Sequence, residues 1–379
     1  MSVRKRKWLK DGEQQEAWIV DYFDAQRVRH IKTFARKKDA DAYHATVKVD
    51  VGRGVHTAPS RSITVAKAAE DWIQRVTADG RERSTIVQYQ GHKRLHIVPE
   101  LGNIKLAHLT TPRVEAFRDH LLASISRPMA KKVLRSLKSI LKDARRRGNV
   151  AQNVAADTTI ESDKRSKRKI KPGVDFPLPQ EVRRMVEAAR EGRQRAVIVV
   201  AAFTGLRASE LRGLRRDDID FKRQMIHVRQ RADRYCQIGN PKSEAGERAV
   251  PVGPIVVNTL RDWCLRSSTD HLLFATRSGK PDNHTNLVRR ILHPVQVAAK
   301  VVTKDGKPKY PGLHSLRHFY ASWLINRKQD GGLELPLKEV QARLGHATLA
   351  MTADTYGHLF PRVDHTAEMA EAERALFAT

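Results

Sequence analysis

The chain has 379 residues, 40% of them hydrophobic, with 71 lysines and arginines against 42 aspartates and glutamates. That is enough chain for two or three domains with real cores, which excludes a disordered tail carrying an isolated motif. A formal charge of +29 calls for a polyanionic partner, nucleic acid first, and no apolar run approaches the ~20 residues of a membrane span.

Residues 1–57 read as three short strands and a helix. Val3–Leu9 is a first strand, and Asp11-Gly12 turns the chain. Glu16–Phe23 alternates, with Trp18, Val20 and Tyr22 on one face; Asp24-Ala25-Gln26 turns again, Arg27–Phe34 pairs back, and Lys37–Val49 is helical. Arg4 and Arg6 on the first strand and Arg27 and Arg29 on the third make a basic sheet able to enter a major groove. A solvated sheet serving a protein partner fits the same residues. A linker surrounds Gly52-Arg53-Gly54 and Pro59.

Residues 62–155 read as helices. Thr64 caps Val65–Val76, Ser84 caps Thr85–His96, Thr111-Pro112 opens a third helix, and Lys131–Arg147 is a fourth, stopped by Gly148-Asn149. In the fourth, Val133, Leu134, Leu137, Ile140 and Leu141 form an apolar stripe. Lys131, Lys132, Arg135 and Lys138 fall largely outside it, as a phosphate-contacting face or a merely solvated one. Residues 156–176 form a basic linker with Lys164, Arg165, Lys167, Arg168, Lys169 and Lys171. Residues 177–360 form a larger, mostly helical domain with one β element near Met225–Val252. In the tail, 361–379, Met369, Ala370, Leu376 and Phe377 mark a final amphipathic helix. The class expected is multidomain and mainly α with small β elements: a three-stranded sheet plus helix, a helical domain, and a mixed α/β domain. Cys236 and Cys264 form no ligand spacing, and MSVRKRKW leads into no apolar segment. A reduced, cytoplasmic protein without structural zinc or secretory signal is expected.

Chemistry concentrates in TGLRASEL, NPKSEAGERAVPV, HSLRH, RLGH and DTYGH. Displacement at phosphorus needs a nucleophile, charge stabilisation, a proton for the leaving oxygen, and alignment. No carboxylate cluster with metal spacing stands out, so fixed cations must serve. Arg207 follows the Thr204-Gly205 break after Ala196–Phe203 and sits at a helix N-terminus, where its guanidinium can grip two phosphate oxygens and Glu210 can orient it. His314 and Arg317 share a helix face opposite Leu313, Leu316, Tyr320 and Trp323, as a half-exposed site requires; His318 falls outside it. His346 follows the glycine that ends a helix over Lys338–Leu344, and Tyr356 lies in a helix after Thr348. Lys242 sits on a hairpin, where partial burial among cations would suit it to protonate a departing oxygen; Lys222 and Arg223 are its substitutes. Each motif alone also fits an ordinary structural role.

The ordered set resembles the catalytic domain of the tyrosine recombinases, the phage-integrase family, over about Phe176 to Phe360. The resemblance implies that Tyr356 attacks the scissile phosphate, forming a 3′-phosphotyrosyl link and releasing a 5′-hydroxyl. Arg207 and Arg317 would stabilise the phosphorane with help from His314 and His346, Lys242 would be the general acid, and neither metal nor ATP nor other cofactor would be needed. Residues 62–155 are similar to the family's core-binding domain, and residues 1–57 to the arm-binding domain of lambda-type integrases. The tail resembles a segment that packs against a neighbouring protomer. Expected partners are double-stranded DNA attachment sites, a homotetramer on DNA, an excisionase and a host DNA-bending protein, in a nucleoid-associated bacterial setting. A type IB topoisomerase shares the Tyr and Arg chemistry, but two extra DNA-binding regions fit site choice better than relaxation. A non-catalytic regulator would have lost Tyr356 or an arginine. A metal-dependent nuclease, suggested by 16 histidines, would fail in chelator.

Overall fold

The computed structural model describes residues 1–10, 13–24, 27–53, 62–161, 169–267, 271–360 and 366–378. The turns at Asp11-Gly12 and Ala25-Gln26, the linker at Gly54 and Pro59, and Lys164, Arg165, Lys167 and Arg168 lie outside the described residues. The chain divides into two compact units, Met1–Lys164 and Arg165–Thr379.

The first unit opens with an antiparallel meander, β1 (Ser2–Lys10), β2 (Glu13–Phe23) and β3 (Arg29–Phe34), followed by α1 (Lys37–Gly52). Register pairs Arg4 with Ile19, Arg6 with Ala17 and Val20 with Lys32. Alternation therefore puts Trp18, Val20 and Tyr22 on one face, where Val20 and Tyr22 form a small core with Ala40 and Val47 of α1. Arg4, Arg6 and Arg29 share the other face.

The helices follow: α2 (Val65–Ala78), α3 (Arg83–His92), α4 (Val98–Leu101), α5 (Thr111–Ser124) and α6 (Arg127–Arg146). Thr64 caps α2 by accepting from the Lys67 N–H at 3.2 Å. The cap expected at Ser84 does not form: α3 starts at Arg83 behind Glu82, which leaves Ser84 inside the first turn. The expected single helix to His96 instead widens into a π-turn over Lys93–Ile97 before α4. Pro99 has no N–H for the Leu95 carbonyl, which removes the bond an α-helix would need there. α6 starts four residues before the expected Lys131, because Pro128 is accommodated in its first turn. Its stripe of Val133, Leu134, Leu137, Ile140 and Leu141 packs with Trp72 and Phe117 in one core.

The second unit begins with α7 (Pro179–Ala188), α8 (Arg193–Thr204) and α9 (Ala208–Gly213). Ala196 through Ala202 are all buried, so α8 is apolar all round and forms the unit's axis. Short strands follow: β4 (Ile219–Asp220), β5 (Met225–Val228), β6 (Arg231–Ala232), β7 (Ile238–Gly239) and β8 (Arg248–Pro251). They form an antiparallel β4-β5-β8 sheet and a β6-β7 ribbon. The remaining helices are α10 (Pro254–Arg266), α11 (His284–Leu287), α12 (His293–Ala298), α13 (His314–Ile325), α14 (Leu337–Leu344), α15 (Leu349–Tyr356) and α16 (Thr366–Phe377). A second π-turn, Val288–Leu292, precedes Pro294 as the first precedes Pro99. Phe176 is already part of this unit's core, and Ile160 is part of the first. The structure is thus mainly helical with small sheets, as expected.

Candidate active site

Two helices of the second unit end on glycines in the left-handed region, α8 at Gly205 (φ 62°) and α14 at Gly345 (φ 64°). Helix C-termini leave carbonyls unpaired at the negative end of the dipole, where cations are favoured. The end of α14 uses this three times in succession. The Arg343 carbonyl accepts from Arg248 Nε at 2.8 Å, the Leu344 carbonyl from Arg317 Nη2 at 2.7 Å, and the Gly345 carbonyl from Arg207 Nη2 at 2.8 Å. Arg317 Nη1 also donates to the Gly205 carbonyl at 2.5 Å, so both glycine-capped ends hold one guanidinium.

Glu210 completes the cluster. Its Oε1 accepts from Arg207 Nη1 at 2.7 Å, and its Oε2 from the Arg207 backbone N–H and Arg248 Nη2, each at 2.9 Å. Burial alone would raise the Glu210 carboxyl, but Arg248 and Arg207 hold it below the ordinary carboxylate range. The expectation that Glu210 orients Arg207 fits this geometry. Arg248, which binds the same carboxylate, was not singled out in the sequence. Its signal was faint: one arginine in GERAVPV, on the strand returning from the hairpin. Arg317 departs from the half-exposed face expected for it. It is 1% exposed, and burial lowers its pKa to about 10, so it remains charged at neutral pH.

Tyr356 ends α15, which Thr348 caps by accepting from the Met351 N–H. Its ring is buried, and its hydroxyl lies 2.7 Å from His318 Nδ1. His318 therefore belongs to the site, against expectation. The helix places it one residue beyond Arg317, and the bend from Gly345 to Thr348 brings α15 back over it. Burial pushes Tyr356 up to about 12, opposed by the charges of Arg317 and Arg207. His346 lies with its ring parallel to Tyr356 (7°, centroids 6.3 Å), while its Nδ1 meets Thr352 Oγ1 at 2.9 Å. His314 packs edge-on against His318, with centroids 4.5 Å apart. Burial and the neighbouring arginines lower His314, and burial with the cations and imidazoles around them lowers His318 and His346 to about 4. At neutral pH the three imidazoles are uncharged, and the arginines carry the positive charge.

Lys242 is exposed, not partly buried as expected, because the chain between β7 and β8 loops outward there. That loop is nonetheless fixed beside α14: a Cβ on Gly345 would come within 2.8 Å of the Ala245 carbonyl. Lys222 and Arg223 lie apart from this loop, exposed in the β4–β5 turn, where their N–H groups donate to Asp220. In the first unit, Arg6 and Arg27 are exposed, while Arg4 and Arg29 pair with Asp21. On α6, Lys132 and Arg135 are exposed, Lys131 is half-buried, and Lys138 donates to the Ala156 carbonyl at 2.8 Å. Cys236 and Cys264 are free thiols. Among the described residues, no group of three or more His, Cys, Asp or Glu gathers as metal ligands, and no helix is long and apolar enough to cross a membrane.

The phage integrase family profile matches residues 178–362, the stretch that holds this cluster. A XerC-like tyrosine recombinase of Caldanaerobacter subterraneus subsp. tengcongensis is 25% identical over 354 residues, covering 86% of this chain and 87% of its own. An integrase of Streptomyces ambofaciens is 26% identical over 386 residues, 93% of this chain and 94% of its own. The fold is that of the Tn1549 transposon integrase, solved with transposon right-end DNA (TM-score 0.63, 19% identity, 83% of this chain and all of the other). It is likewise similar to a lambda integrase dimer bound to a core site (TM-score 0.59, 16% identity, 94% and 97%). Near full-length likeness to recombinases, with the arginine cluster and buried tyrosine inside the matched segment, makes this chain a tyrosine recombinase of the phage integrase family, a site-specific DNA recombinase.

Proposed function

We propose that the chain integrates or excises a phage or genomic island, with Tyr356 as its nucleophile. Tyr356 Oη attacks the scissile phosphorus and the bond to the 5′ oxygen breaks, leaving a 3′-phosphotyrosyl link; the 5′ oxygen takes a proton from Lys242. A guanidinium has five N–H donors, and the bonds named occupy two each on Arg207 and Arg317. The others face the developing phosphorane charge, with neutral His314 and His346 as hydrogen-bond donors. The bond energy stays in the covalent link, so rejoining to another 5′ end needs no ATP. The observation that carries this reading is the row of α14 carbonyls that fixes Arg207 and Arg317 where their charges reach Tyr356.

Residues 1–57 serve as the arm-type DNA-binding domain through Arg4, Arg6, Arg27 and Arg29. Residues 62–155 serve as the core-binding domain through Lys131, Lys132, Arg135 and Lys138. Residues 156–176 link these to the catalytic domain, 177–360. The α16 segment of the tail, 361–379, leaves Met369, Leu376 and Phe377 exposed, suited to packing against a neighbouring protomer. Partners are double-stranded attachment sites, three further copies in a tetramer, an excisionase and a host bending protein, in the cytoplasm and on the nucleoid. The test is a nicked duplex incubated with the protein in chelator and run on a denaturing gel. A covalent band that vanishes in Tyr356→Phe is expected. A band that persists there moves the nucleophile elsewhere.

A further inference from the structure

His318 is the side chain within hydrogen-bond distance of the Tyr356 hydroxyl among the described residues, at 2.7 Å from Nδ1. The other two imidazoles are placed differently. His346 lies parallel to the phenol, so its ring nitrogens lie in a plane beside the phenol ring, and its Nδ1 is directed to Thr352 Oγ1. His314 meets His318 edge-on. We propose that His318 is the proton acceptor for Tyr356, taking the phenolic proton on Nδ1 as Oη bonds to phosphorus and returning it during religation. This rests on Tyr356 being the nucleophile.

The protons balance. In cleavage, Oη gives its proton to Nδ1 and its electron pair to phosphorus, and the departing 5′ oxygen is protonated by Lys242. In religation, the 5′-hydroxyl returns that proton to Lys242 and attacks phosphorus, and the leaving phenolate recovers its own proton from His318. The surroundings suit an acceptor. Facing His318 are His314 and Arg317 from its own helix, Asp175 and the Phe176 ring from the segment before α7, and Tyr356 from α15. Arg207 acts on Tyr356 and His314, and His346 covers another side of the phenol. Burial first, then His314 and Arg317, keep the imidazole neutral with a lone pair available, while the Asp175 carboxylate opposes them and supports the imidazolium once formed. A phenol near 12 does not yield its proton to an imidazole near 4 at rest. Transfer accompanies bonding to phosphorus, which acidifies the phenol oxygen.

The test uses the full chain and a nicked duplex selected by its binding from a random-sequence pool. Covalent adduct is measured in single turnover from about pH 6 to 9 for the wild type, His318→Asn and His318→Leu. Asparagine keeps an acceptor near the Nδ1 position but takes no proton. Both variants should bind the uncut duplex normally and slow about 100-fold at neutral pH, within the range of a lost general base. Their rates should climb about tenfold per pH unit, because only ionised phenol then attacks, while the wild type stays flat. His318→Asn at near wild-type rate with a flat profile overturns the proposal, since holding the phenol would then suffice. Slowed variants that keep the wild-type pH shape overturn it too. Independently of any variant, nitrogen NMR of His318 in the wild type should find Nδ1 unprotonated at neutral pH; a proton on Nδ1 overturns the proposal. A Tyr356→Phe control that still forms adduct removes the nucleophile assignment itself, a separate failure.

Discussion

Arg317 is held at two points, by the Gly205 and Leu344 carbonyls, which use one N–H on each of its terminal nitrogens. A lysine has one nitrogen and no fixed fork, so it cannot span both carbonyls and also meet a phosphate. Arg317→Lys should therefore lower covalent cleavage by at least about 100-fold, as for loss of an oxyanion donor, with binding of uncut duplex changed little. Equal losses of both would make Arg317 an affinity residue. The histidines make a pH prediction. His318 and His346 titrate near 4 in the folded protein against an ordinary 6.5, so between those values the unfolded chain binds more protons. Stability should thus fall as pH drops from 6.5 toward 4, and this loss levels off below 4. Melting curves across that window check it, and His346→Gln should shrink the drop. Arg207, Glu210, Arg317, His346 and Tyr356 stood out in the sequence through the order of their motifs along the chain, since each motif alone also fits a structural role. His318 and Arg248 did not, since their roles depend on which distant carbonyl or hydroxyl comes to meet them.

At the scale of elements, the site depends on how helices end. Gly345 is left-handed, and a Cβ there would press on the Ala245 carbonyl and the Arg248 guanidinium, both at 2.8 Å. Gly345→Ala should cost about 1–2 kcal/mol for the left-handed backbone, with more for those contacts. It should lower both the melting temperature and the cleavage rate, since Arg207, Arg248 and Arg317 all lean on this turn. Thr348→Ala, which removes only the cap on α15, should cost about 1 kcal/mol and leave the arginines in place. Unequal effects on cleavage of the same selected duplex would separate the two devices. Helices starting at Thr64 and Thr111-Pro112, and those stopped by Gly205 and Gly345, followed from cap and breaker chemistry alone. Ser84 misled because serine is also tolerated inside a first turn. The π-turns before Pro99 and Pro294 leave a trace in sequence only as the prolines themselves, which do not say whether a helix will kink, stop or widen.

For the whole molecule, charge and layout govern binding. An excess of +29 meeting phosphates makes affinity fall linearly with salt on logarithmic axes. Replacing Lys132 or Arg135 by alanine should weaken binding across sequences and reduce that slope by about 1 each; an unchanged slope would return them to solvated surface. Deleting residues 1–57 should spare cleavage of a core site but impair integration, and unchanged integration would remove the arm-binding role. The broad fold was readable because apolar stripes and breakers are local. The row of carbonyls at Arg343, Leu344 and Gly345 bears on how such a protein tolerates change. Main-chain oxygens belong to every residue, so substitution of the Arg343 or Leu344 side chain cannot delete the atoms that seat the guanidiniums. The cradle is thus shielded from most point mutation, and its vulnerability is concentrated in the single position, Gly345, whose backbone turn aims it.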